Sequence, residues 1–477
     1  MGLAWFVFIY VLVSVGIGLF VSTRVRNTKD YAVAGRHLPL PVVIATVFAT
    51  WFGAEAIFGV SATFVDEGLN GIVADPFGSS LCLIIAGFLF SKYLYKMNLL
   101  TLGDYYHRRY DKKIEVITSI AILISYLGWV AAQIKALGLI LNIITDGLIS
   151  EEIGMVIGML IVLTYTTLGG MLSVAILDFI QMIVIISGLL FIAYTTSLLT
   201  DGITPVIEHA AKNQKLDFWP KGDIWIWISF FATGMTMMLG SIPQQDVFQR
   251  VTSANSAKIA LWGSILGALI YFLFTFVPMF IAYSATIINP DLFANMVHTD
   301  AQHVLPKFVM QYMSKFEQII FFGAVMSAIM SCSAATLLAP SVTFAENVVK
   351  VFKPSMTDKE LFKVMRICVV AFATLVLAYA LSSNLTIFGM VESAYKITLA
   401  GAFTPLVFGI FWSKANQHGA LASLVGGIST WIFFEFFSQF SLVPAQLMGL
   451  LVSMFLMVLV SLLTRRNSNL TDWAIKT

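Results

Sequence analysis

Apolar residues in this chain gather in long uninterrupted runs, not in the alternating or one-faced patterns of soluble strands and helices. Thirteen such runs fall near 2–22, 40–64, 73–96, 115–145, 152–170, 172–199, 223–242, 258–286, 317–348, 362–382, 386–412, 417–437 and 443–464. Most match the ~20 apolar residues that a helix needs to cross a bilayer. The longest polar stretches, near 200–222 and 287–316, are too short for an inserted soluble domain. The pattern predicts an all-α polytopic membrane protein with one transmembrane domain over 1–477.

Two runs carry more than lipid-facing residues. The run at 40–64 contains Thr46, Thr50, Gly53, Glu55, Gly59 and Ser61, and the run at 317–348 contains Gly323, Ser327, Ser331, Ser333, Thr336, Pro340 and Ser341. Small and hydroxylated residues allow close helix packing. They also allow a helix to unwind at mid-membrane depth and present backbone carbonyls to a cation.

Composition strengthens the membrane assignment. Apolar residues make up 58% and charged residues 11% of 477, and mean hydropathy is +0.88, whereas soluble domains carry roughly 25% charged residues. The 28 basic and 26 acidic residues nearly balance, which removes bulk charge as an argument for nucleic-acid binding. Cys82, Cys332 and Cys368 lie in apolar runs with no CxxC or zinc spacing and read as small buried hydrophobes. The first run has no preceding basic region and no small-residue cleavage site, so it reads as a retained span.

Basic residues set the expected orientation. Arg24, Arg26, Lys29 and Arg36 crowd the first loop, and Lys96, Arg108, Arg109, Lys112 and Lys113 the third. Arg250 and Lys258 flank the seventh, Lys350, Lys353, Lys359, Lys363 and Arg366 occupy the ninth, and Arg465 and Arg466 follow the last span. With thirteen spans these share one side, while Asp66, Glu67, Asp146, Glu151 and Glu152 take the other. The N-terminus is therefore expected outside and the C-terminus in the cytoplasm.

Six ionisable side chains fall well inside runs: Glu55, Lys135, Asp178, Glu392, Lys396 and Glu435. A charge at the bilayer centre costs about 3 kcal/mol on insertion scales, so each should face protein or a water-filled cavity. Lys135 is a candidate partner for Glu55 or Asp178, and Glu392 and Lys396, four apart, for each other. Ser327 and Ser331 share a helix face, which suits a weak site of neutral oxygens for a monovalent cation as well as a packing seam.

Several segments together resemble the sodium:solute symporter family. The most specific is Tyr165-Thr-Thr-Leu-Gly-Gly-Met-Leu-Ser-Val-Ala-Ile-Leu-Asp178-Phe-Ile-Gln181. Thr101-Leu-Gly-Asp104-Tyr-Tyr, Ile242-Pro243 with Phe248-Gln249-Arg250, and Ala324-Val-Met-Ser-Ala328-Ile-Met-Ser331-Cys332-Ser333 are also similar. Several look nearest to the choline and proline carriers. The resemblance implies a LeuT-type inverted-repeat core of ten helices, with one helix before it (2–22) and two after (417–464). The repeats would occupy approximately 40–242 and 223–412, each opening with a helix broken near mid-membrane. Those breaks are expected at Ala49–Gly53 and within 223–245, where Gly234, Gly240 and Pro243 are weak points.

The same resemblance implies a principal sodium site built from the carbonyls of Ala49, Phe52 and Ala328 and the side chains at Ser331 and Cys332. Cys332 departs from the family hydroxyl, and a thiol is a poor ligand for a hard cation. Asp178 matches the acid of a second sodium site whose hydroxyls correspond to Ala334 and Ala335, so one sodium ion is expected, with Asp178 acting electrostatically or pairing with Lys135. The matched substrate positions are Glu55 and Ala56, with Trp51, Phe52, Phe58 and Trp129 as candidate pocket walls. Choline carriers cage their quaternary amine in aromatic rings. Trp129 matches one ring, but Gln244 stands where another tryptophan would be, which argues against choline itself.

The expectation is a sodium-coupled symporter importing a small organic solute, zwitterionic or cationic, across a bacterial-type plasma membrane by alternating access. No cofactor or metal other than sodium is implied, and no nucleic-acid partner. A proton-coupled carrier using Glu55 or Asp178 is one alternative. A membrane sensor or channel subunit is another, disfavoured by the short tail 465–477. The absence of HExxH, GxSxG and P-loop patterns argues against an enzyme.

Overall fold

The computed structural model describes residues 2–291, 296, 301–438 and 443–464; Arg465, Arg466 and the tail 465–477 lie outside these. The spans are α1 (Gly2–Ser22), α2 (Leu40–Trp51), α3 (Glu55–Asn70), α4 (Val73–Lys96), α5 (Lys112–Ile144), α6 (Glu151–Leu199), α7 (Ile224–Gly240), α8 (Gln245–Ser253), α9 (Ala257–Ile288), α10 (Lys315–Phe352), α11 (Asp358–Ser382), α12 (Ile387–Ala400), α13 (Phe403–Phe411), α14 (Gln417–Phe437) and α15 (Ala445–Leu463). Nine are long and apolar enough to cross a membrane singly, and the pairs α2/α3, α7/α8 and α12/α13 bring the count to twelve if each bent pair is one span. Among the described residues there is no β-strand.

The helices start where the sequence supplies caps. Asp111, Ser150, Asp223, Ser256 and Asn416 each accept a backbone N–H from the first turn that follows. Ser314 with Glu317 and Thr357 with Glu360 form reciprocal capping boxes at α10 and α11. Caps at mouth level and apolar residues between them fix the span boundaries.

Helix α6 contains 49 residues, about 74 Å if straight, which is more than twice a hydrocarbon core. It is broken at Gly170, where φ is +51° and ψ −153°. The sequence reading of separate runs at 152–170 and 172–199 places the same boundary. A short helix, Thr28–Val33, packs into the break, and the Tyr31 hydroxyl donates to the carbonyls of Thr166 and Thr167 at 3.4 and 3.2 Å. A Cβ on Gly170 would stand 2.5 Å from both Tyr31 Cδ2 and the Tyr31 carbonyl oxygen. Gly170→Ala should therefore destabilise the protein by about 2–3 kcal/mol, from a left-handed φ and a clash with backbone that cannot yield. A lowered melting temperature of the purified variant checks this.

The centre of the bundle is α10, in which every residue from Ala324 to Val342 is buried. It packs against α5 and α6, and α2 and α1 also contact it. By contrast Trp5, Phe6, Phe8 and Phe20 on α1 and Phe433, Phe436 and Phe437 on α14 are exposed, as lipid-facing rings should be. Helix α1 is tied to the core by the Tyr10 hydroxyl, 2.5 Å from Ser327 Oγ. That contact places Ser327 in a packing seam, the first of its two sequence readings.

All three bends have identifiable causes. The first, of 58°, falls at Phe52–Ala54, overlapping the end of the expected interval Ala49–Gly53. The second, of 45°, falls at Ser241–Gln244. Pro243 cannot donate a hydrogen bond there, and the Gly240 carbonyl accepts the Thr398 hydroxyl at 2.7 Å instead of a helical N–H. Gly234, the other expected weak point, lies within intact α7.

The third, of 46°, interrupts at Gly401–Ala402 what the sequence reading took as one run at 386–412. The hydroxyls of Tyr106, Tyr110 and Tyr105 take the carbonyls of Ala402, Pro405 and Leu406 at 2.9, 2.6 and 3.1 Å. These tyrosines belong to the Thr101–Tyr110 segment, whose motif thus supports a broken span. The two first-named bends also share one backbone link. Leu38 N–H donates to the Ser253 carbonyl at 3.0 Å and Asn255 N–H to the Leu38 carbonyl at 2.9 Å.

Candidate functional site

At the end of α2 the helical ladder stops. Phe52 N–H still donates to Phe48 O at 2.8 Å, but Phe52 itself leaves the helical region (φ −90°, ψ 76°). Ala54 N–H turns to the Gln133 side-chain carbonyl at 2.9 Å, and the backbone ladder resumes with Ile57 N–H to Gly53 O at 3.3 Å. The carbonyls of Ala49–Phe52 would be closed by the N–H groups of 53–56 in a continuous helix, so the break releases acceptors where the sequence reading placed them. Gly53 is required sterically, since a Cβ there would lie 2.6 to 2.7 Å from Gln133 Oε1, Cys332 Sγ and Glu55 Oε2.

One side of the break carries Asp178. Its carboxylate is fully buried and accepts the hydroxyl of Ser331 from α10 on Oδ1 and that of Thr46 from α2 on Oδ2. Thr50 Oγ1 donates to the Thr46 carbonyl at 2.6 Å on the same face. Three spans therefore bring oxygen atoms together about one turn below Ala49 and nearly two below Phe52. Ala328, one turn before Ser331 on α10, is also fully buried. All three side chains present oxygen, the donor type that alkali cations select.

The other side carries Glu55. Its Oε1 accepts the Trp129 indole N–H at 3.0 Å, its Oε2 accepts the Gln133 amide at 2.5 Å, and the Cys332 thiol lies 3.9 Å from Oε1. Ser331 and Cys332 differ by about 100° around α10, so the hydroxyl faces Asp178 and the thiol faces Glu55. The expected pairing with Lys135 does not occur. Lys135 Nζ donates to the carbonyls of Ser383 and Leu385, at 2.8 and 3.1 Å. Lys396 likewise ion-pairs with Glu435 at 2.8 Å and not with Glu392. All three cysteines are buried thiols, as expected.

Beside Glu55 stands a ring cluster. Trp51 and Trp129 meet at 5.4 Å between centroids, Trp129 and Tyr395 at 5.7 Å, and Trp51 and Tyr395 at 6.3 Å. Tyr126 stacks on the outer face of Trp129 at 5.9 Å. The sequence reading named Trp51 and Trp129 but missed Tyr395 and Gln133, although Gln133 lies one turn after Trp129 on the same helix face. Phe52 turns its ring away, stacking on Phe48 at 5.0 Å and touching Phe274 at 5.1 Å. Ala56 and Phe58 are buried, but Phe58 shares no ring contact with the cluster among the described residues. Gln244 donates to Ser125 Oγ at 2.9 Å and Thr398 Oγ1 at 3.4 Å, bracing the helices that carry Tyr126 and Tyr395.

Three further buried acids, Asp75, Glu115 and Asp246, escaped the sequence reading because they lie at span ends. Asp75 accepts Tyr271 and Ser79 hydroxyls at 2.5 and 2.6 Å. Asp246, on α8, accepts the Tyr126 hydroxyl on Oδ1 and a hydrogen bond from the Trp51 side chain. Arg250, counted above among loop charges, is 2% exposed and belongs to the core. Its i,i+4 spacing from Asp246 was the available signal.

The chain matches known carriers. The sodium:solute symporter family model matches residues 31–427. The human high affinity choline transporter 1 is 30% identical over 450 residues, covering 90% of this chain and 75% of its own. The high-affinity proline transporter PutP of Bacillus subtilis is 24% identical, covering 95% and 96%. Among solved structures, a sodium-coupled sialic acid symporter in a substrate-bound outward-open state superposes with a TM-score of 0.86 at 18% identity, over 98% of this chain and 99% of that one. Mhp1, a nucleobase-cation-symport-1 transporter, superposes at 0.59 with 14% identity, over 90% and 93%. These share the LeuT-type fold. The broken helices, the released carbonyls and the family match over most of the chain lead to one assignment: this chain belongs to the sodium:solute symporter family and is a sodium-coupled symporter of multi-pass membrane topology.

Proposed function

We propose that the protein imports a small organic solute with a positively charged nitrogen head, cationic or zwitterionic, together with one sodium ion. The observation that carries the solute class is the setting of Glu55. Its carboxylate is buried beside Trp51, Trp129 and Tyr395, its three donors are neutral, and no ion pair reaches it among the described residues. An ionised carboxylate left so costs several kcal/mol. A cationic head would neutralise it, while the ring faces would add about 0.5–2 kcal/mol by cation–π attraction.

Tyr395 completes the aromatic wall beside Glu55. It stands where α12 is interrupted between Ala394 and Lys396, and its buried hydroxyl has no partner among the described residues. The relatives that carry choline and proline both handle a nitrogen cation, which supports the class. Gln244 provides an amide brace in place of a further ring, and this favours a solute other than choline.

For sodium, the ligands proposed are the Asp178 carboxylate, the hydroxyls of Ser331 and Thr46, and the carbonyls of Ala49, Phe52 and Ala328. Cys332 is reassigned to the Glu55 side. Ion binding would draw α2, α6 and α10 together and preorganise the neighbouring solute pocket, a coupling of roughly 1–3 kcal/mol. Ser331→Ala removes one oxygen worth about 1–1.5 kcal/mol and should raise the sodium concentration for half-maximal uptake about five- to tenfold. Sodium-titrated uptake in proteoliposomes measures this, and unchanged dependence removes Ser331 from the site.

Counting each bent pair as one span and dividing α6 at Gly170 gives thirteen spans. Five from α2 to the end of α6 and five from α7 to α13 form the two repeats, between α1 and the pair α14 and α15. We infer an N-terminus outside and a C-terminus in the cytoplasm of a bacterial-type inner membrane, a reading that the odd count and the basic loops support. The solute assignment is tested by a thermal-stability screen of purified protein against amines, betaines, amino acids, sugars and carboxylates, with and without sodium. Stabilisation by nitrogen cations only when sodium is present is expected. Stabilisation by sugars or simple carboxylates alone would overturn it.

A further inference from the structure

Asp246 is fully buried and is the second residue of α8, directly after the break at Ser241–Gln244. A carboxylate is well placed in the first turn of a helix, and Arg250, one turn later, donates to the Asp246 carbonyl at 3.3 Å and brings a compensating charge along the same helix. The side-chain bonds of Asp246 run to other spans. The Tyr126 hydroxyl on α5 donates to Oδ1, and the Asp246 N–H donates back to the same hydroxyl oxygen at 2.9 Å. The Trp51 side chain, at the end of α2, bonds to the carboxylate as well, through the indole N–H that is its sole donor. One acid at the second break therefore grips a ring at the first break and another on α5.

Both gripped rings belong to the wall beside Glu55. Tyr126 lies nearly parallel to Trp129, at 16° with centroids 5.9 Å apart, one turn away on α5. Trp51 meets Trp129 at 5.4 Å and stacks on Tyr395 at 10° between planes. Trp129 sends its indole N–H to Glu55 Oε1 at 3.0 Å, and the side chain has no second donor. A cationic head that takes Glu55 competes for that oxygen, so the indole plane then depends on what backs it. The backing ring is Tyr126, whose hydroxyl Asp246 fixes at two points. The two indoles thus end on different acids, Trp129 on Glu55 and Trp51 on Asp246.

We propose that Asp246 is a positioning residue of the solute pocket, fixing through Tyr126 and Trp51 the planes of the rings that receive the positively charged head. This rests on the reading of Glu55 and its rings as the solute site. Asp246 acts through those rings and not on the solute, because its carboxylate is occupied by their hydroxyl and indole donors. A wall locked by such outer bonds keeps its geometry when the head arrives, and a loosened wall loses affinity although every ring is still present. Because Asp246 opens α8, the setting of the second bent span is passed directly to the rings of the pocket.

Tyr126→Phe keeps the ring and removes its tether, Asp246→Ala removes the carboxylate, and the double variant tests whether the two act as one unit. Purified full-length proteins are titrated at saturating sodium with tetramethylammonium, a bare cationic head, and with glycine betaine, a zwitterion, and read by thermal stabilisation. Half-saturating concentrations should rise about three- to fivefold in Y126F and about tenfold in D246A, with the double variant no worse than D246A. Sodium titration without solute should match the parent in Y126F, because Asp178, Ser331 and Thr46 are untouched. The emission of Trp129, taken as the difference between each protein and its Trp129→Phe counterpart, should shift in both variants with no solute present. A merely structural Asp246 would lower the melting temperature and leave affinity and Trp129 emission at parent values, and that result overturns the proposal. Additive effects of Y126F and D246A overturn it too, and Y126F decides alone if D246A does not fold. If the parent responds to neither probe, the solute reading fails, and the Trp129 emission of Y126F then decides the positioning role by itself.

Discussion

Asp178→Asn is expected to abolish sodium-driven uptake at physiological sodium, with the half-saturating concentration rising by about thirty- to hundredfold. The carboxylate is the one charged oxygen donor where α2, α6 and α10 converge, and it organises the Ser331 and Thr46 hydroxyls. A charge-assisted contact is worth about 2–3 kcal/mol, which converts to that range at 1.4 kcal/mol per tenfold. An amide also presents an NH2 group to one of those hydroxyls in place of an acceptor, and repels the ion. The fold should survive, because the substitution keeps the shape and removes a buried charge. Sodium-titrated uptake together with a melting curve separates loss of ion binding from loss of structure. A variant with normal sodium dependence would move the ion site elsewhere.

Glu55→Gln should produce the second large effect, on the solute. Removing the counter-charge beside Trp51, Trp129 and Tyr395 should weaken binding of a cationic head by about a hundredfold, the scale of one charged partner lost from a buried pair. Sodium-dependent stabilisation in the absence of solute should persist, because Asp178, Ser331 and Thr46 are untouched. That split is the diagnostic feature. If E55Q instead removed the sodium response and left solute affinity intact, Glu55 would belong to the ion. Competition binding of the solute found in the screen, measured at saturating sodium, reads the outcome directly.

Much of this was legible in the chain because membrane burial is unforgiving. Runs of apolar residues marked the spans, a boundary near Gly170 separated two of them, and a glutamate at position 55 in an otherwise apolar run demanded a partner or water. The partners are neutral, Trp129 and Gln133, in place of the expected Lys135, and Trp129 was expected as a pocket ring only. What escaped has a common physical origin. Asp75, Asp246 and Arg250 sit near span ends, where sequence alone reads a charge as solvated, yet the broken helices carry those ends into the core. Tyr395 and Gln133 are ordinary in composition, and only packing across three helices shows that they border Glu55. Lys135 was assigned by sign and depth, but a long flexible stem let its ammonium reach the chain at 383–385 instead. The third bend, at Gly401–Ala402, was hidden because the tyrosines that fasten the helix beyond it lie about three hundred residues earlier.

The rung between Leu38 and Ser253–Asn255 has a consequence for how the carrier works. It fastens the foot of the first bent span to the foot of the second by two main-chain hydrogen bonds at the same end of the bundle. These two segments therefore form a single lever: any motion that opens that mouth must swing both together or snap the rung first. Because it is made of backbone, only a proline at position 38 or 255 would remove one of its donors. The residues around Glu55 and Asp178 can then vary with the cargo without loosening the latch.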